Sequence, residues 1–272
     1  MTGSAVHRVG VVGLGAMGRP IAERIAHAGF EVVGRDRSGA AQAAGVRMVA
    51  GLDEIAAADV AIVIVPTDDD VVSVVAGDDG LIAHGHPGLV IVISSSVRPE
   101  TCRRLADLAT AAGMHVLDAA LTGGIRGAET GTINLLVGGP VSVVERVRPV
   151  LLSFCTNYHV LGDVGAGQVG KTVSNLIHWA EIVAIDESFR LAAALGVAPS
   201  ALRLALQEGG TDSRTMRELE LMRFTWYAKD IATARTMADE IGFDLPVANL
   251  SRDLMDRVTV DSVRALLSPP PS

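Results

Sequence analysis

The chain has few cysteines, no long apolar run and no excess of basic residues. Cys102 and Cys155 are its only cysteines, too few for a disulfide framework or a cluster of metal ligands. The first apolar run, Val9–Met17, is short and interrupted by glycines, unlike a signal sequence. Later runs such as Val60–Val65 are far shorter than the roughly 18 residues that indicate a membrane span. We therefore expect a cytoplasmic protein that has no metal site and no membrane partner.

Positive charge is scarce as well. Lysine and arginine together number 23, against 31 aspartates and glutamates, and the formal net charge is −8 at pH 7. Because a nucleic acid requires a basic binding face, this balance argues against a nucleic-acid partner. A small anionic substrate remains compatible, since one local cation can bind a carboxylate. The 272 residues exceed one typical core and predict two domains.

The first half of the chain alternates apolar runs with amphipathic stretches. Runs that are apolar throughout predict strands buried on both faces, and the stretches between them predict the helices that cover a parallel sheet. The predicted strands are Arg8–Val12, Glu31–Val33, Val60–Val65, Leu89–Ile93, His115–Leu117 and Ile133–Val137, and the predicted helices include Pro20–Ala28, Asp69–Val75 and Pro99–Ala112. This pattern indicates a doubly wound α/β sheet.

The second half shows helical patterns only, with no convincing strand from about Gly167 onward. Three glycines in Gly162–Gly167 mark the join, so we predict one domain over residues 1–163 and an all-helical domain over residues 164–272. The predicted helices are Gln168–Leu195, Ser200–Leu206, Arg214–Ala228, Ile231–Ile241 and Val247–Leu267.

A glycine motif follows the first predicted strand and opens the first predicted helix. It reads Gly13-Leu14-Gly15-Ala16-Met17-Gly18, a G-x-G-x-x-G pattern. In such a turn the first glycine permits the bend, the second lets a pyrophosphate approach the backbone, and the third lets the helix pack on the strand. The helix N-terminus attracts the phosphates. In this context the motif predicts a dinucleotide site in a Rossmann-type domain.

The end of the second strand carries the residues that distinguish NAD from NADP. Asp36 stands about 20 residues after the glycines, where a carboxylate accepts hydrogen bonds from the ribose of NAD. Arg37 and Ser38 follow it, and an arginine there suits the 2′-phosphate of NADP. Both signals are present, and we favour NAD because a carboxylate beside a phosphate is unfavourable. Val65 and Pro66 end a neighbouring strand and join the predicted cofactor site.

A polar stripe marks the start of the long helix that follows the join. Lys171, Asn175 and His178 stand at i, i+4 and i+7 and therefore share one face of a mostly apolar helix. Such a stripe either meets polar partners in a cleft or faces solvent near a helix end. Spacing alone leaves both interpretations open.

Four motifs stand in order along the chain. They are the glycine turn with Met17, then Asp118–Gly124 followed by Gly127-Ala128 and Gly131-Thr132, then Gly167-x-x-x-Lys171-x-x-x-Asn175, and finally Lys229-Asp230-Ile231. Together they resemble the β-hydroxyacid dehydrogenases, which include 3-hydroxyisobutyrate dehydrogenase and tartronate semialdehyde reductase. The resemblance covers nearly the whole chain and is far more specific than the glycine turn alone.

The resemblance implies a role for each matching residue. Lys171 is expected to exchange a proton with the substrate oxygen, and Asn175 to hold the substrate. The segment formed by Thr122, Gly123 and Gly124 is expected to bind the substrate carboxylate, partly through backbone N–H groups.

The resemblance also implies contacts with the cofactor and an assembly. Ser95 is expected near both the nicotinamide and the substrate, and Lys229 near the cofactor. The family combines a Rossmann domain, a long connecting helix and an all-helical domain, and it forms homodimers or homotetramers. His178 lies outside the shared pattern; it is a candidate substrate residue or an ordinary helix-face residue with a partner.

Several departures leave the substrate open. Thr122 replaces the usual serine, Ala120 replaces the usual proline, and Gln207–Trp226 is shorter than its counterpart. We expect NAD(P)-dependent interconversion of a short β-hydroxy acid and its semialdehyde or ketone. The alternatives are an imine reductase-like enzyme, which Lys171 argues against, and a non-catalytic cofactor-binding scaffold, which Lys171 and Asn175 argue against.

Overall fold

A computed structural model describes residues 6–39 and 41–268. The chain divides into two units, Met1–Lys171 and Thr172–Ser272, and the division falls inside a long helix. The predicted domain boundary between residues 163 and 164 stays a prediction.

One eight-stranded sheet forms the centre of the first unit. Its strands are β1 (Arg8–Val12), β2 (Glu31–Arg35), β3 (Val46–Met48), β4 (Val60–Val63), β5 (Val90–Ile93), β6 (His115–Thr122), β7 (Ile133–Gly138) and β8 (Cys155–Gly162). Their order in the sheet is β3-β2-β1-β4-β5-β6-β7-β8. The order reverses between β1 and β4, and ligands of such sheets bind outside the carboxyl ends of the strands at this point.

Helices cover both faces of this sheet. They are α1 (Gly18–His27), α2 (Asp53–Ala56), α3 (Asp68–Ala76), α4 (Leu81–His84), α5 (Pro99–Ala111), α6 (Gly124–Thr130) and α7 (Val141–Leu151). Successive strand residues point to opposite faces. Along β4, Val60 and Ile62 belong to one apolar core and Ala61 and Val63 to the other, and all four are fully buried. The prediction of a doubly wound α/β sheet is confirmed.

The sequence predicts a parallel sheet, and the structure corrects this at one pair of strands. Strand β6 pairs with β7 in antiparallel register, while the other neighbouring pairs are parallel. Residues 123–132 join β6 to β7, which is shorter than the dozen or more residues of a parallel crossover. The sequence analysis also missed β3 and β8. Strand β8 is largely exposed and polar, so it lacks the continuous apolar run of the central strands.

Helices alone form the described part of the second unit. They are α8 (Ala166–Ala194), which begins in the first unit, α9 (Pro199–Leu206), α10 (Arg214–Glu218), α11 (Tyr227–Asp239), α12 (Pro246–Met255) and α13 (Val260–Leu267). An apolar core that includes Trp179, Phe189, Leu219 and Val263 holds the unit together. None of the helices in the described ranges has the length and apolar character that a membrane crossing requires.

Two predicted helices of this unit are wrong in extent. The stretch predicted as Arg214–Ala228 contains α10 and a 3₁₀ turn, after which Met222 adopts an extended conformation. The stretch predicted as Val247–Leu267 is divided into α12 and α13. The hydroxyl of Thr259 accepts from the backbone N–H of Ser262, and the Ser262 hydroxyl accepts from that of Thr259. This capping box begins a new helix inside the apolar pattern.

Candidate active site

The glycine turn connects β1 to α1 in a space that excludes side chains. Gly13 has a φ of +92°, and a Cβ there would lie 2.1 Å from the carbonyl oxygen of Ile64. A Cβ on Gly18 would lie 1.8 Å from the carbonyl oxygen of Gly13. Only glycine lets the turn, the residue after β4 and the first residue of α1 approach this closely, as the motif predicted.

Gly15 has different surroundings. A Cβ at this position would meet no atom within 4 Å, so the backbone of Gly15 borders open space. Met17 precedes α1 without a side-chain cap, and the first turn of α1 contains no acidic residue. Uncapped N–H groups at a helix N-terminus bind anions. The turn, including the exposed Ala16 and the buried Leu14, therefore fits the pyrophosphate of a dinucleotide.

Asp36 is fixed in place beside this turn. One carboxylate oxygen accepts from the backbone N–H of Leu14 at 2.8 Å and the other from that of Ser38 at 2.8 Å. These N–H groups, first that of Ser38, hold the pKa of the Asp36 carboxyl below its usual range. Arg37 is 88% exposed and its guanidinium lies 3.5 Å from Asp70. Asp36 is thus an ordered anion at the carboxyl end of β2.

The ends of β4 and β5 are joined by Ser95. Its hydroxyl accepts from the backbone N–H of Val65 at 2.8 Å, and the residue is 4% exposed. Pro66 follows on the exposed surface. The structure thus shows Ser95 aligning two strand ends, and its expected contact with nicotinamide and substrate stays a prediction.

Thr122 ends β6, and two left-handed glycines follow it. The Thr122 hydroxyl donates to the carbonyl oxygen of Asn134 at 2.8 Å and lies 3.2 Å from the Asn134 side-chain nitrogen. Gly123 has a φ of 110° and Gly124 a φ of 64°, and a Cβ on Gly124 would meet no atom within 4 Å. The backbone of this segment is therefore accessible for binding a small anion.

The first turn of α8 is attached to the sheet by two polar side chains. Asp118 on β6 is fully buried, and its carboxylate accepts from the backbone N–H groups of Gly165 at 2.6 Å and Gln168 at 2.8 Å. Burial raises the pKa of the Asp118 carboxyl, and these N–H groups oppose the rise. The Gln168 side chain donates to the Ser95 carbonyl at 2.9 Å and accepts from the Val97 N–H at 3.2 Å.

The polar stripe of α8 begins one turn further along. Lys171 is half-buried and belongs to the first unit, while Asn175 and His178 are half-buried and belong to the second. The imidazole Nδ1 of His178 lies 3.2 Å from the hydroxyl of Thr215. The face is therefore not a fully solvated one. The substrate roles of Asn175 and His178 stay predictions.

The Lys229 motif lies at the start of α11. Lys229 is exposed, and its ammonium is 6.0 Å from the ring centroid of Trp226. The neighbouring Asp230 accepts from the indole N–H of Trp179 on α8 at 3.0 Å. This bond ties α11 to α8 within the second unit, and the expected approach of Lys229 to the cofactor stays a prediction.

Comparison with known proteins shows the family of the chain. Residues 8–162 match the family profile described as the NAD binding domain of 6-phosphogluconate dehydrogenase. Residues 165–264 match the profile described as NAD-binding of NADP-dependent 3-hydroxyisobutyrate dehydrogenase. The chain is 32% identical over 205 residues to 3-hydroxyisobutyrate dehydrogenase of Pseudomonas aeruginosa, covering 74% of this chain and 69% of the relative. The chain belongs to the β-hydroxyacid dehydrogenase family.

This β-hydroxyacid dehydrogenase is also similar to a second curated relative and to a solved structure. It is 32% identical to 2-(hydroxymethyl)glutarate dehydrogenase of Eubacterium barkeri, covering 80% of this chain and 73% of the relative. A solved structure of Mycobacterium tuberculosis 3-hydroxyisobutyrate dehydrogenase with L-serine superimposes with a TM-score of 0.82 at 26% identity, covering 93% of each chain. The protein is an NAD(P)-dependent dehydrogenase that acts on a CH–OH group, and its cofactor is NAD or NADP.

Two side chains that hold the start of α8, those of Asp118 and Gln168, have no role predicted from the sequence. In the sequence, Asp118 is the first residue of the second motif and Gln168 is the first residue of a predicted helix. A charged residue in the middle of an apolar strand was an available signal, because a buried charge requires partners. Gln168 gave no such signal, since a glutamine near a helix start is ordinary.

Proposed function

We propose that this dehydrogenase interconverts a short β-hydroxy acid and its semialdehyde or ketone, with Lys171 as the proton donor and acceptor. One observation carries the proposal. Lys171 is half-buried three residues after Gln168, whose side chain is bonded to Ser95 and Val97 beyond the carboxyl end of β5. The lysine therefore follows a helix turn that is attached to the ligand-binding edge of the sheet.

The chemistry of a lysine suits this reaction. Oxidation of an alcohol removes a proton from oxygen and a hydride from carbon. NAD or NADP supplies the hydride acceptor when bound. In our proposal the neutral amine of Lys171 takes the hydroxyl proton, and its ammonium form returns that proton in the reductive direction. Free lysine has a pKa of about 10.4, which suits donation, and desolvation lowers this value towards that of a useful base.

We propose a small carboxylate as the substrate, held by the backbone of Gly123 and Gly124. The hydroxyl proton of Thr122 is already directed to Asn134, so the N–H groups of this segment are the better anion donors. Asn175 and His178 are proposed as further substrate contacts. The proposed substrate class agrees with the hydroxy acids named for the relatives.

We also propose NAD rather than NADP as the preferred cofactor. Asp36 is an ordered carboxylate with both oxygens bonded to backbone N–H groups, and each oxygen can accept a further hydrogen bond. A 2′-phosphate beside this anion would be repelled. Within Asp36–Ser38, only Arg37 carries a positive charge that could offset this repulsion. Its side chain extends into solvent beside Asp70.

The reaction is tested with a panel of 3-hydroxyisobutyrate, 3-hydroxypropionate, glycerate, threonate and serine, each with NAD and with NADP. Substituting Lys171→Met should lower kcat by about a hundredfold to ten-thousandfold, the range of general acid–base catalysis. Lys171→Arg should be nearly as slow, because arginine keeps the charge but does not exchange a proton near neutral pH. Arg47→Met removes a cation from β3 and should leave kcat unchanged.

The proton role is tested separately by titration. Lys171 and Lys229 are the only lysines in the chain, so a protein labelled with ¹³C at the lysine Cε should give two resonances. Lys229→Arg assigns them. If Lys171 exchanges the proton, the pH at which its resonance titrates in the cofactor complex should coincide with a pKa in the pH profile of kcat. A fully active Lys171→Met variant would contradict the proposal.

We further propose a homodimer or homotetramer. Val169, Val173 and Ile177 form an apolar row on α8 and are 38%, 50% and 63% exposed in the single chain. Apolar side chains in a row at helical spacing are commonly covered by a partner. Ile177→Glu should reduce the mass measured by light scattering after gel filtration, while Val141→Glu, at an equally exposed position on α7, should not. A monomeric unaltered protein at micromolar concentration would refute this assembly.

A further inference from the structure

We propose that Asp118 and Gln168 are positioning residues that hold the first turn of α8 and thereby set the location of the Lys171 amine. The inference rests on the proposed function of Lys171 and adds two residues that do not touch the reacting atoms in our account. Both lie in the first unit together with Lys171.

The Asp118 carboxylate accepts hydrogen bonds from backbone N–H groups at the start of α8. The first N–H groups of a helix have no partners within the helix. The Asp118 carboxylate accepts from Gly165 and Gln168, on either side of the first residue of α8, although it is distant in sequence. A negative charge at a helix N-terminus also interacts favourably with the helix dipole. The cap therefore comes from β6 and joins the helix start to the sheet.

Two glycines leave a slot that the carboxylate fills. A Cβ on Gly138 would lie 2.4 Å from one Asp118 oxygen, and a Cβ on Gly167 would lie 2.7 Å from the other. The same Gly167 Cβ would lie 2.3 Å from the carbonyl oxygen of Leu136 on β7. The helix start thus rests directly on the backbone of β7, and the carboxylate lies against the backbone of both glycines.

Gln168 provides a second attachment in a different direction. Its amide spans the backbone beyond β5, donating to Ser95 and accepting from Val97, and it is 2% exposed. One helix turn is therefore bonded to β6 through Asp118 and to the end of β5 through Gln168. Two attachments on neighbouring strands fix the rotation of the helix as well as its distance from the sheet.

Position, rather than stability alone, explains a buried carboxylate here. Apolar residues of similar volume often stabilise a protein as well as buried charges do, and in some proteins a buried polar group specifies one arrangement of its neighbours. Lys171 comes three residues after Gln168, so a rotation or shift of the first turn displaces its amine. A displacement of about 1 Å is enough to slow a reaction by about a hundredfold.

The test compares Asp118→Asn and Gln168→Met with the unaltered protein. The asparagine turns an N–H₂ group towards one of the two backbone donors. The methionine keeps the side-chain volume but removes the hydrogen bonds to Ser95 and Val97. Amide hydrogen exchange of residues 165–171 should become at least about tenfold faster in each variant. The single-turnover rate of hydride transfer to NAD, with the best substrate of the panel, should fall by about tenfold to a hundredfold.

Cofactor binding separates positioning from general damage. The dissociation constant of NADH, from a fluorescence titration, should stay within about twofold of the unaltered value, because the glycine turn and Asp36 share no partner with the substituted residues. Gln168 bonds the backbone carbonyl of Ser95, and the Ser95 hydroxyl keeps its own bond to the Val65 N–H. Asp59→Asn is the matched control. Asp59 also accepts from two backbone N–H groups, those of His7 at 2.8 Å and Arg8 at 2.9 Å, but at the amino ends of β1 and β4. It should leave the rate unchanged.

Three results would overturn the inference. They are unchanged exchange in Gln168→Met, faster exchange with an unchanged hydride-transfer rate, and a loss of NADH affinity as large as the loss of rate. Gln168→Met decides the matter if Asp118→Asn does not fold. Failure of the proposed function looks different, because Lys171→Met would then retain the full rate.

Discussion

Gly15 and Gly18 lie in one turn but meet different surroundings, and this difference makes a sharp prediction. A Cβ on Gly15 would meet no protein atom within 4 Å, whereas one on Gly18 would lie 1.8 Å from the Gly13 carbonyl. Gly18→Ala should lower the free energy of unfolding of the cofactor-free protein by about 1–3 kcal/mol, as overpacking does. Gly15→Ala should leave it within about 0.5 kcal/mol.

Gly15→Ala, which should barely change the stability of the protein, should weaken the binding of NADH. The added methyl group of Gly15→Ala occupies the space in which a pyrophosphate approaches the backbone, so we expect its NADH affinity to fall by at least about tenfold. Urea unfolding without cofactor and a fluorescence titration with NADH measure the two properties. Equal NADH affinity of Gly15→Ala and the unaltered protein would place the pyrophosphate elsewhere.

The carboxyl of Asp36 should make stability depend on pH. The Ser38 and Leu14 N–H groups hold its pKa below the usual 3.8, so the folded protein favours the anion. The resulting stabilisation is present above the unfolded pKa and is lost as pH falls through the lower folded pKa. The unfolding free energies of Asp36→Asn and the unaltered protein should therefore differ at pH 7 and converge below pH 3.8. Urea titrations across this range measure it, and a difference independent of pH would contradict it.

Among elements, α1 and α6 are joined by one side chain. Arg24 on α1 donates from Nε to the carbonyl oxygen of Ala128 at 3.0 Å and from Nη2 to that of Glu129, near the last turn of α6. The guanidinium satisfies carbonyls that the helix end leaves free. Arg24→Met should lower the free energy of unfolding by about 1 kcal/mol and speed hydrogen exchange in residues 124–131. A variant with unchanged exchange there would show that α6 does not depend on this contact.

The elements that could be predicted from sequence share a property. Each central strand of the sheet is apolar on both faces, and this composition requires helices above and below it. Strand β8 escaped prediction because most of its exposed residues are polar and it has no continuous apolar run; its pairing with β7 makes it a strand. The break between α12 and α13 escaped because the hydroxyl of Thr259 competes locally with a helix that the apolar pattern would have continued.

At the scale of the whole molecule, binding of the preferred cofactor should appear as thermal stability. A ligand that binds only the folded state stabilises it by about 2.7 kcal/mol at a hundred times its Kd. At equal concentrations a cofactor that binds ten times more weakly gives about 1.4 kcal/mol less. If Asp36 selects NAD, NADH should raise the Tm more than NADPH does, as measured by differential scanning fluorimetry. The reverse order would assign the site to NADP.

Local composition by itself determined the glycine turn, the acid after β2, the buried strands and the order of the motifs. Each of these depends on the residue and its near neighbours, through chain geometry or apolar periodicity. Only the tertiary structure decided the antiparallel pairing of β7 with β6 and the hydrogen bonds between Asp118 and the start of α8. Those features join residues far apart in sequence, and a hydrogen bond between distant groups depends on distances that spacing along the chain does not contain.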